Sequence, residues 1–145
     1  MSSIIDRIAH DLSLDQSYVS SIIRGSNFYY KKFEIPKRNG GTRLIYQASP
    51  ELKSLQYWVR ENILRYLPVS AASFAYKSGD SIKKHAAFHQ NAHFIFHTDI
   101  ESYFPSIYSK MLTDILVKNS DELNRRGVWF DDSCATISKI CFLNN

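Results

Sequence analysis

"HFIFHTDIESYFPSI", residues 93–107, decides how the rest of the chain is read. An apolar run reaches a single aspartate, Asp99, and Tyr103, Phe104 and Pro105 crowd in directly after it. A short apolar run of this kind predicts a strand over 93–100, apolar enough to lie centrally in a sheet. A carboxylate at the end of a buried strand is costly unless something positive meets it. A divalent metal is one such partner. Mg2+ takes a few carboxylate oxygens together with substrate phosphates, and two-metal phosphoryl transfer needs that ligand held rigidly. A bulky ring a few residues later can wall off the sugar of an incoming nucleotide, colliding with a ribose 2′-OH and admitting a deoxyribose. The structural alternative is that Asp99 caps the following helix and Phe104 is core.

The bulk properties frame these readings. A chain of 145 residues makes one domain or part of one. At 44% hydrophobic and 14% aromatic it can bury a core, which argues against disorder. The net charge of +4 permits a nucleic-acid partner without demanding one. No segment has the apolar length of a membrane span, so no membrane partner is expected. The N-terminus "MSSIIDRIAHDLSLDQ" carries acids early and does not read as a signal peptide. Cys134 and Cys141 sit seven residues apart, on one helix face, and read as reduced, packed thiols of a cytoplasmic protein. His85 and His89, four apart, invite a zinc reading. They lack both the acid of an HExxH motif and an obvious third ligand, so a helix face or a surface turned toward nucleic acid is the better assignment.

Periodicity places two short helices in residues 3–24, with Ile4, Ile5, Ile8 and Leu12 on one and Tyr18, Val19, Ile22 and Ile23 on the other. Ser13 or Asp15 supplies the cap between them, and Gly25 the stop. "FYYKKFEI" and "TRLIYQA" read as strands joined by the turn "PKRNGG", which together make a basic hairpin. "SPELKSLQYWVRENILRYL", residues 49–67, is the clearest helix: Ser49 caps it, Pro50 fits its first turn, and Leu52, Leu55, Trp58 or Val59, Ile63 and Leu67 line one face. Helices are also expected over "IKKHAAFHQNA", "IYSKMLTDILVKN" and "DDSCATISKICFL", the last capped by Asp131, Asp132 or Ser133.

Two further stretches carry chemistry. "FEIPKRNGGTRLI", residues 33–45, sets Lys37, Arg38 and Arg43 around a tight glycine turn. Such a finger can grip phosphates by charge and by bidentate hydrogen bonds, although an ordinary solvated hairpin has similar edges. "SFAYKSGDSIKKHAAFH", residues 73–89, combines a glycine loop, a lysine pair and two histidines.

Taken together, "YKKFEIPKRNGGTRLI", "LKSLQYW", "AYKSGDSIKKHAAFH" and "DIESYFPSI" occur in an order and spacing that resembles the N-terminal half of prokaryotic reverse transcriptases of the retron type. The resemblance spans residues 30–107. It implies an α+β fold, the fingers and palm of a right-hand polymerase, truncated, with N-terminal helices and a basic β-hairpin. The implied divisions are a helical segment at 1–27, fingers at 28–92 and a partial palm at 93–145. Asp99 becomes the first catalytic aspartate and a ligand to both Mg2+ ions, and Ile100 lends a backbone carbonyl to one of them. Phe104 becomes the sugar gate and Arg43 the holder of the triphosphate, assisted by Lys37 or Arg38. Gly79 to His89 would lie against template or primer. The implied partners are a structured non-coding template RNA, the nascent DNA, dNTPs and an effector protein, in antiviral defence.

One element of that pattern is missing. Such enzymes complete the metal site with a second acidic motif, and "WFDD", Trp129 to Asp132, is a tempting substitute. Asp131 follows Asp99 by only 32 residues, with no glycine-rich nucleotide motif between them, and "DDS" opens a helix where acids act as caps. The chain therefore reads as truncated inside its palm and inactive by itself, with an open sheet edge. A competing reading makes it a non-catalytic binding module. "IAHDLSLDQSYVSSIIRG", residues 8–25, resembles a phage-repressor helix-turn-helix, which would require residues 19–24 to be exposed and basic. The basic hairpin is the other candidate for non-catalytic RNA binding.

Overall fold

The periodicity of the first 24 residues is realised as two helices in the computed structural model, which describes residues 3–38, 40–75 and 79–143. Asn39 of the hairpin turn, Tyr76, Lys77 and Ser78 of the glycine loop, and the final Asn144 and Asn145 lie outside the described residues. Helix α1 spans Ile4–Leu12 and opens on a capping box: Ser3 Oγ accepts from the Asp6 amide while Asp6 accepts from the Ser3 amide. Helix α2, Gln16–Arg24, is capped by Asp15, whose carboxylate accepts from the Ser17 and Tyr18 amides. The Ser17 hydroxyl, which donates to the same carboxylate oxygen, and those amide bonds hold the Asp15 carboxyl below its usual pKa.

The strand expected from Phe28 begins later. A 3₁₀ turn at Ser26–Tyr29 takes up Phe28 and Tyr29, because the Phe28 amide bonds the Gly25 carbonyl at 2.8 Å. Strand β1 then runs Tyr30–Pro36 and pairs antiparallel with β2, Thr42–Ala48, in the register Tyr30↔Ala48 to Pro36↔Thr42. Gly40 and Gly41 close the hairpin at φ +84° and +78°, a region open to glycine at little cost. At the hairpin root the Ser49 amide donates to the Tyr29 carbonyl at 2.7 Å.

Ser49 also caps helix α3, Pro50–Asn62, with Pro50 in its first turn. The sequence pattern carries this helix to Leu67, but it ends five residues sooner. Ile63 turns to φ −126° and ψ −64°, and a 3₁₀ turn at Leu64–Tyr66 follows. Asn62 Nδ2 adds a second bond to the Trp58 carbonyl at 3.0 Å, folding its side chain back onto the last turn. Helices α5 (Ser109–Lys118) and α7 (Ser133–Cys141) lie where periodicity puts them. Helix α6, Ser120–Arg125, was not expected, since it buries only Leu123 and has no apolar stripe to betray it. Helix α4 (Ile82–Phe88) is shorter than its sequence pattern and ends at His89.

Packing separates two units. The first comprises residues 1–67 and 108–145, and the second residues 68–107. In the first, helix α7 packs against α1, α2, α3 and α5, so the two ends of the chain share one core. Ile4, Ile8, Val19, Ile22, Leu52, Leu55, Val59, Ile63, Leu116, Leu123, Ile137 and Ile140 are all fully buried there. Three polar side chains join the helices around that core. Asp132 Oδ1 accepts the Ile4 amide at 3.0 Å, so the acid at the head of α7 satisfies an orphan donor of α1 instead of capping its own helix. Trp58 Nε1 donates to Asp11 Oδ2 at 3.0 Å. Gln56 Nε2 donates to both Tyr30 Oη and the Ile140 carbonyl, each at 3.0 Å.

The second unit contains α4 and a 3₁₀ turn at Phe104–Ser106, and among its described residues there is no strand. The central strand expected over 93–100 is therefore corrected: Phe94 is 95% and Phe96 90% exposed, without regular structure. The physical reason is a missing partner. A strand persists only by pairing its backbone groups with a neighbour, and the strands among the described residues, β1 and β2, pair with each other. The architecture is α+β, mostly helical, with one two-stranded hairpin.

Candidate functional site

The hairpin alternates its side chains across two faces. Lys31, Phe33 and Ile35 share one face with Arg43, Ile45 and Gln47; Lys32 and Glu34 share the other with Leu44 and Tyr46. Arg43 stands opposite Ile35, so the one acid of the hairpin, Glu34, points away from it. Lys37 and Arg38 continue from β1 into the turn, where the Lys37 amide bonds the Gly41 carbonyl at 3.0 Å. The result gathers the three cations singled out from the sequence. Lys37, Arg38 and Arg43 line one shallow concavity of about 460 Å³ with Ile35 and Pro36. Among the described residues none of the three is ion-paired with a carboxylate. Two guanidinium forks and an ammonium over an apolar floor, with no acid in the lining, suit a phosphate-bearing anion.

Asp99, Ile100 and Phe104 belong to the second unit. Asp99 is exposed and its Oδ1 accepts the amide of Ile100 at 3.0 Å. Neither structural alternative for this stretch holds. Helix α5 starts behind Tyr108, not Asp99, and Phe104 is 71% exposed, so it is not core. Phe104 instead heads the 3₁₀ turn with its ring edge-on to Tyr103, centroids 5.3 Å apart. Asp99 contributes one carboxylate, and the described residues hold no group of three or more His, Cys, Asp or Glu side chains able to bind a metal. They do not by themselves make a two-Mg2+ site.

Asp132 of "WFDD" is engaged at the α1 and α7 helix starts, as its sequence context anticipates, though its hydrogen bond goes to α1. His85 and His89 meet at 5.1 Å between ring centroids and pack with Phe74 and Phe88, an aromatic cluster holding α4. Cys134 and Cys141 are free thiols, and burial pushes Cys141 up to about 12. The helix-turn-helix requirement fails at α2: Val19, Ile22 and Ile23 are buried, and Arg24 is the single cation of residues 19–24.

The sequence reading missed the polar joints. Gln56 and Trp58 sit in "LKSLQYW", whose apolar positions explain a helix face; a glutamine and an indole at fixed places beside that face were the available signal. Asp11, Trp58's partner, resists burial that would raise its pKa, and the bonds from Arg7, His10 and Trp58 together hold it below the usual carboxylate value.

No family model matches the chain. Curated proteins do. Over 118 residues, 79% of this chain, it is 30% identical to the Retron Ec73 reverse transcriptase of Escherichia coli. It is 31% identical to the Retron Ec86 reverse transcriptase of the same organism over 75% of its length. It is 37% identical over 90 residues, 62% of the chain, to the Retron Mx162 reverse transcriptase of Myxococcus xanthus. These matches cover 37%, 40% and 19% of the respective relatives, so the chain spans well under half of each. The resemblance read from the four motifs is borne out: this chain is related to the retron reverse transcriptases.

Proposed function

From that kinship with the retron reverse transcriptases, we propose that the chain is part of an RNA-directed DNA polymerase that copies a structured non-coding RNA into DNA. The observation that carries the reading is the similarity of 62–79% of the chain to several retron reverse transcriptases, beside the four motifs in residues 30–107. The acid-free concavity of Lys37, Arg38 and Arg43 supports it, because a triphosphate needs such a lining. In this reading residues 28–92 act as fingers and 93–145 as the beginning of a palm, behind the helical segment 1–27.

The roles divide by chemistry. Arg43, with Lys37 or Arg38, neutralises and orients the phosphates of the incoming dNTP. Asp99 would hold Mg2+ through its carboxylate, and the metal would supply charge neutralisation at the attacking hydroxyl and the leaving pyrophosphate. Ile100 offers its carbonyl beside Asp99, and Phe104 excludes the ribose 2′-OH. Among the described residues no metal-binding cluster forms around Asp99, and the 145-residue chain is inactive by itself. The polymerase acts in the cytoplasm with its template RNA and an effector protein, in antiviral defence.

The test uses the complete reading frame, purified with its co-expressed RNA and supplied with dNTPs and Mg2+. Synthesis is expected from the wild type and none from Asp99→Ala. RNA retained without synthesis by the wild type would sink the polymerase reading in favour of a non-catalytic RNA-binding module built on the basic hairpin.

A further inference from the structure

Residues 93–97 read the same in both directions: His93, Phe94, Ile95, Phe96, His97. The palindrome falls on bare apolar surface, with Phe94, Ile95 and Phe96 exposed by 95%, 70% and 90%. Among the described residues, 93–98 make no hydrogen bond and no ring contact. Such a segment holds unpaired N–H and C=O groups beside rings left in water, and both favour pairing with another strand. Residues 91–103 contain no lysine or arginine and carry Asp99 and Glu101, so a nucleic-acid backbone is the wrong partner.

Symmetry selects the strand that fits. When two copies of one segment run antiparallel about a two-fold axis, position i faces position j of the other copy and j faces i. With the axis at Ile95, each Phe94 faces Phe96 of the second copy. Side chains alternate along a strand, so all four rings share one face, and aromatic pairs directly across antiparallel strands are favourable. On the reverse face Ile95 meets Ile95 and His93 meets His97. Further out Ala92 faces Thr98 and Asn91 faces Asp99, so no carboxylate opposes another. A slip of one residue would set Phe94 against Ile95 and Phe96 against His93, scattering the rings over both faces. Four phenylalanines bury at most about 600–1,000 Å², at about 150–250 Å² each. That is short of the roughly 1,200 Å² where stable interfaces begin, so the pairing is weak and concentration-dependent.

We propose that residues 93–97 are a self-pairing strand, joining two copies of this chain as an antiparallel ribbon centred on Ile95. Asp99 then stands opposite Asn91, so self-pairing and a polymerase palm are alternative uses of one strand. The pairing itself does not rest on the polymerase reading.

The test is sedimentation velocity of the 145-residue chain from micromolar to near-millimolar concentration, beside disulfide trapping. A monomer–dimer equilibrium is expected. Phe94→Lys/Phe96→Lys puts four like charges on the shared face and is expected to weaken the dimer at least about tenfold. Phe94→Ser/Phe96→Ser removes the rings without adding charge and is expected to do the same. Both positions are exposed, so helical circular dichroism stays at its wild-type value in either variant. Ile95→Cys meets itself across the axis, where Cα separations of about 4.5–5.5 Å suit a disulfide. Under mild oxidant it is expected to cross-link two chains above the wild-type baseline set by Cys134 and Cys141. Phe94→Cys, offset from its own copy by about 7–8 Å, is expected to cross-link far less. A monomer at every concentration overturns the proposal, as does association that Phe94→Lys/Phe96→Lys leaves unchanged. Association that continues past the dimer, equal cross-linking by the two cysteine variants, or pairing that appears only when RNA is added overturns it equally.

Discussion

Replacing Gln56 by leucine tests how the hairpin is tied to the helical body. The substitution keeps side-chain volume nearly constant, so it opens no large cavity. It deletes two hydrogen bonds, from Nε2 to Tyr30 Oη and to the Ile140 carbonyl, both 3.0 Å long. Each such bond contributes about 0.5–1.5 kcal/mol net, so about 1–3 kcal/mol is at stake. The upper half of that range is expected. Ile140 is fully buried and lies in the last turn of α7, where a carbonyl has no partner inside its own helix. The loss should lower the midpoint of thermal unfolding by roughly 3–10 °C for a chain of this size. The assay is urea unfolding followed by the fluorescence of Trp58 and Trp129, with the m-value expected to stay constant. Tyr30→Phe removes one bond alone, and a double-mutant cycle with Gln56→Leu should return a coupling of about 0.5–1.5 kcal/mol. Gln56→Glu should lose the bond to the Ile140 carbonyl, because a carboxylate cannot donate, and keep at most one from the Tyr30 hydroxyl, which can. A Gln56→Leu stability within about 0.5 kcal/mol of wild type, the range of an ordinary surface change, would refute the clamp.

Other perturbations address other parts of the molecule. Asp132→Ala should cost about 1 kcal/mol in the same urea assay, from the lost bond to the Ile4 amide and the lost anion at the positive end of α7; no change would mean that solvent serves that amide equally well. Cys141 gives a pH signature. Its folded pKa, raised by burial from 9.0 to about 12, leaves the unfolded thiol ionising first, so stability is intact below about pH 9 and falls between about pH 9 and 12. The slope approaches about 1.4 kcal/mol per pH unit, and Cys141→Ala should flatten it; an unaltered slope in the variant would assign the loss to other groups. In the complete protein, Phe104→Ala should raise incorporation of ribonucleotides relative to dNTPs by tenfold or more, a change of about 1.4 kcal/mol in discrimination; unchanged sugar selectivity would remove Phe104 from the gate.

Most elements and much of the candidate site were legible in the chain itself. Helices α1, α2, α3 and α7 announce themselves because apolar residues at helical spacing have one sensible burial. The hairpin follows from β-branched and aromatic runs around a glycine turn, and its register carries Arg43 to the face away from Glu34. Lys37, Arg38 and Arg43 could be picked out as a group because a hairpin is local: residues a few positions either side of a tight turn must meet. Motif order in residues 30–107 sufficed for the relationship to retron reverse transcriptases, since each motif is a short chemical requirement written contiguously.

Tertiary structure decided what local pattern cannot express. Whether residues 93–100 form a strand depends on a partner elsewhere, and without one among the described residues this apolar run stays exposed and without regular structure. That Asp132 serves α1, that Gln56 reaches α7, and that Arg126 meets Tyr66 are facts of position between residues far apart in sequence. Composition fixes which groups can bond; only the packing of α7 against the N-terminal helices determines which of them come within reach.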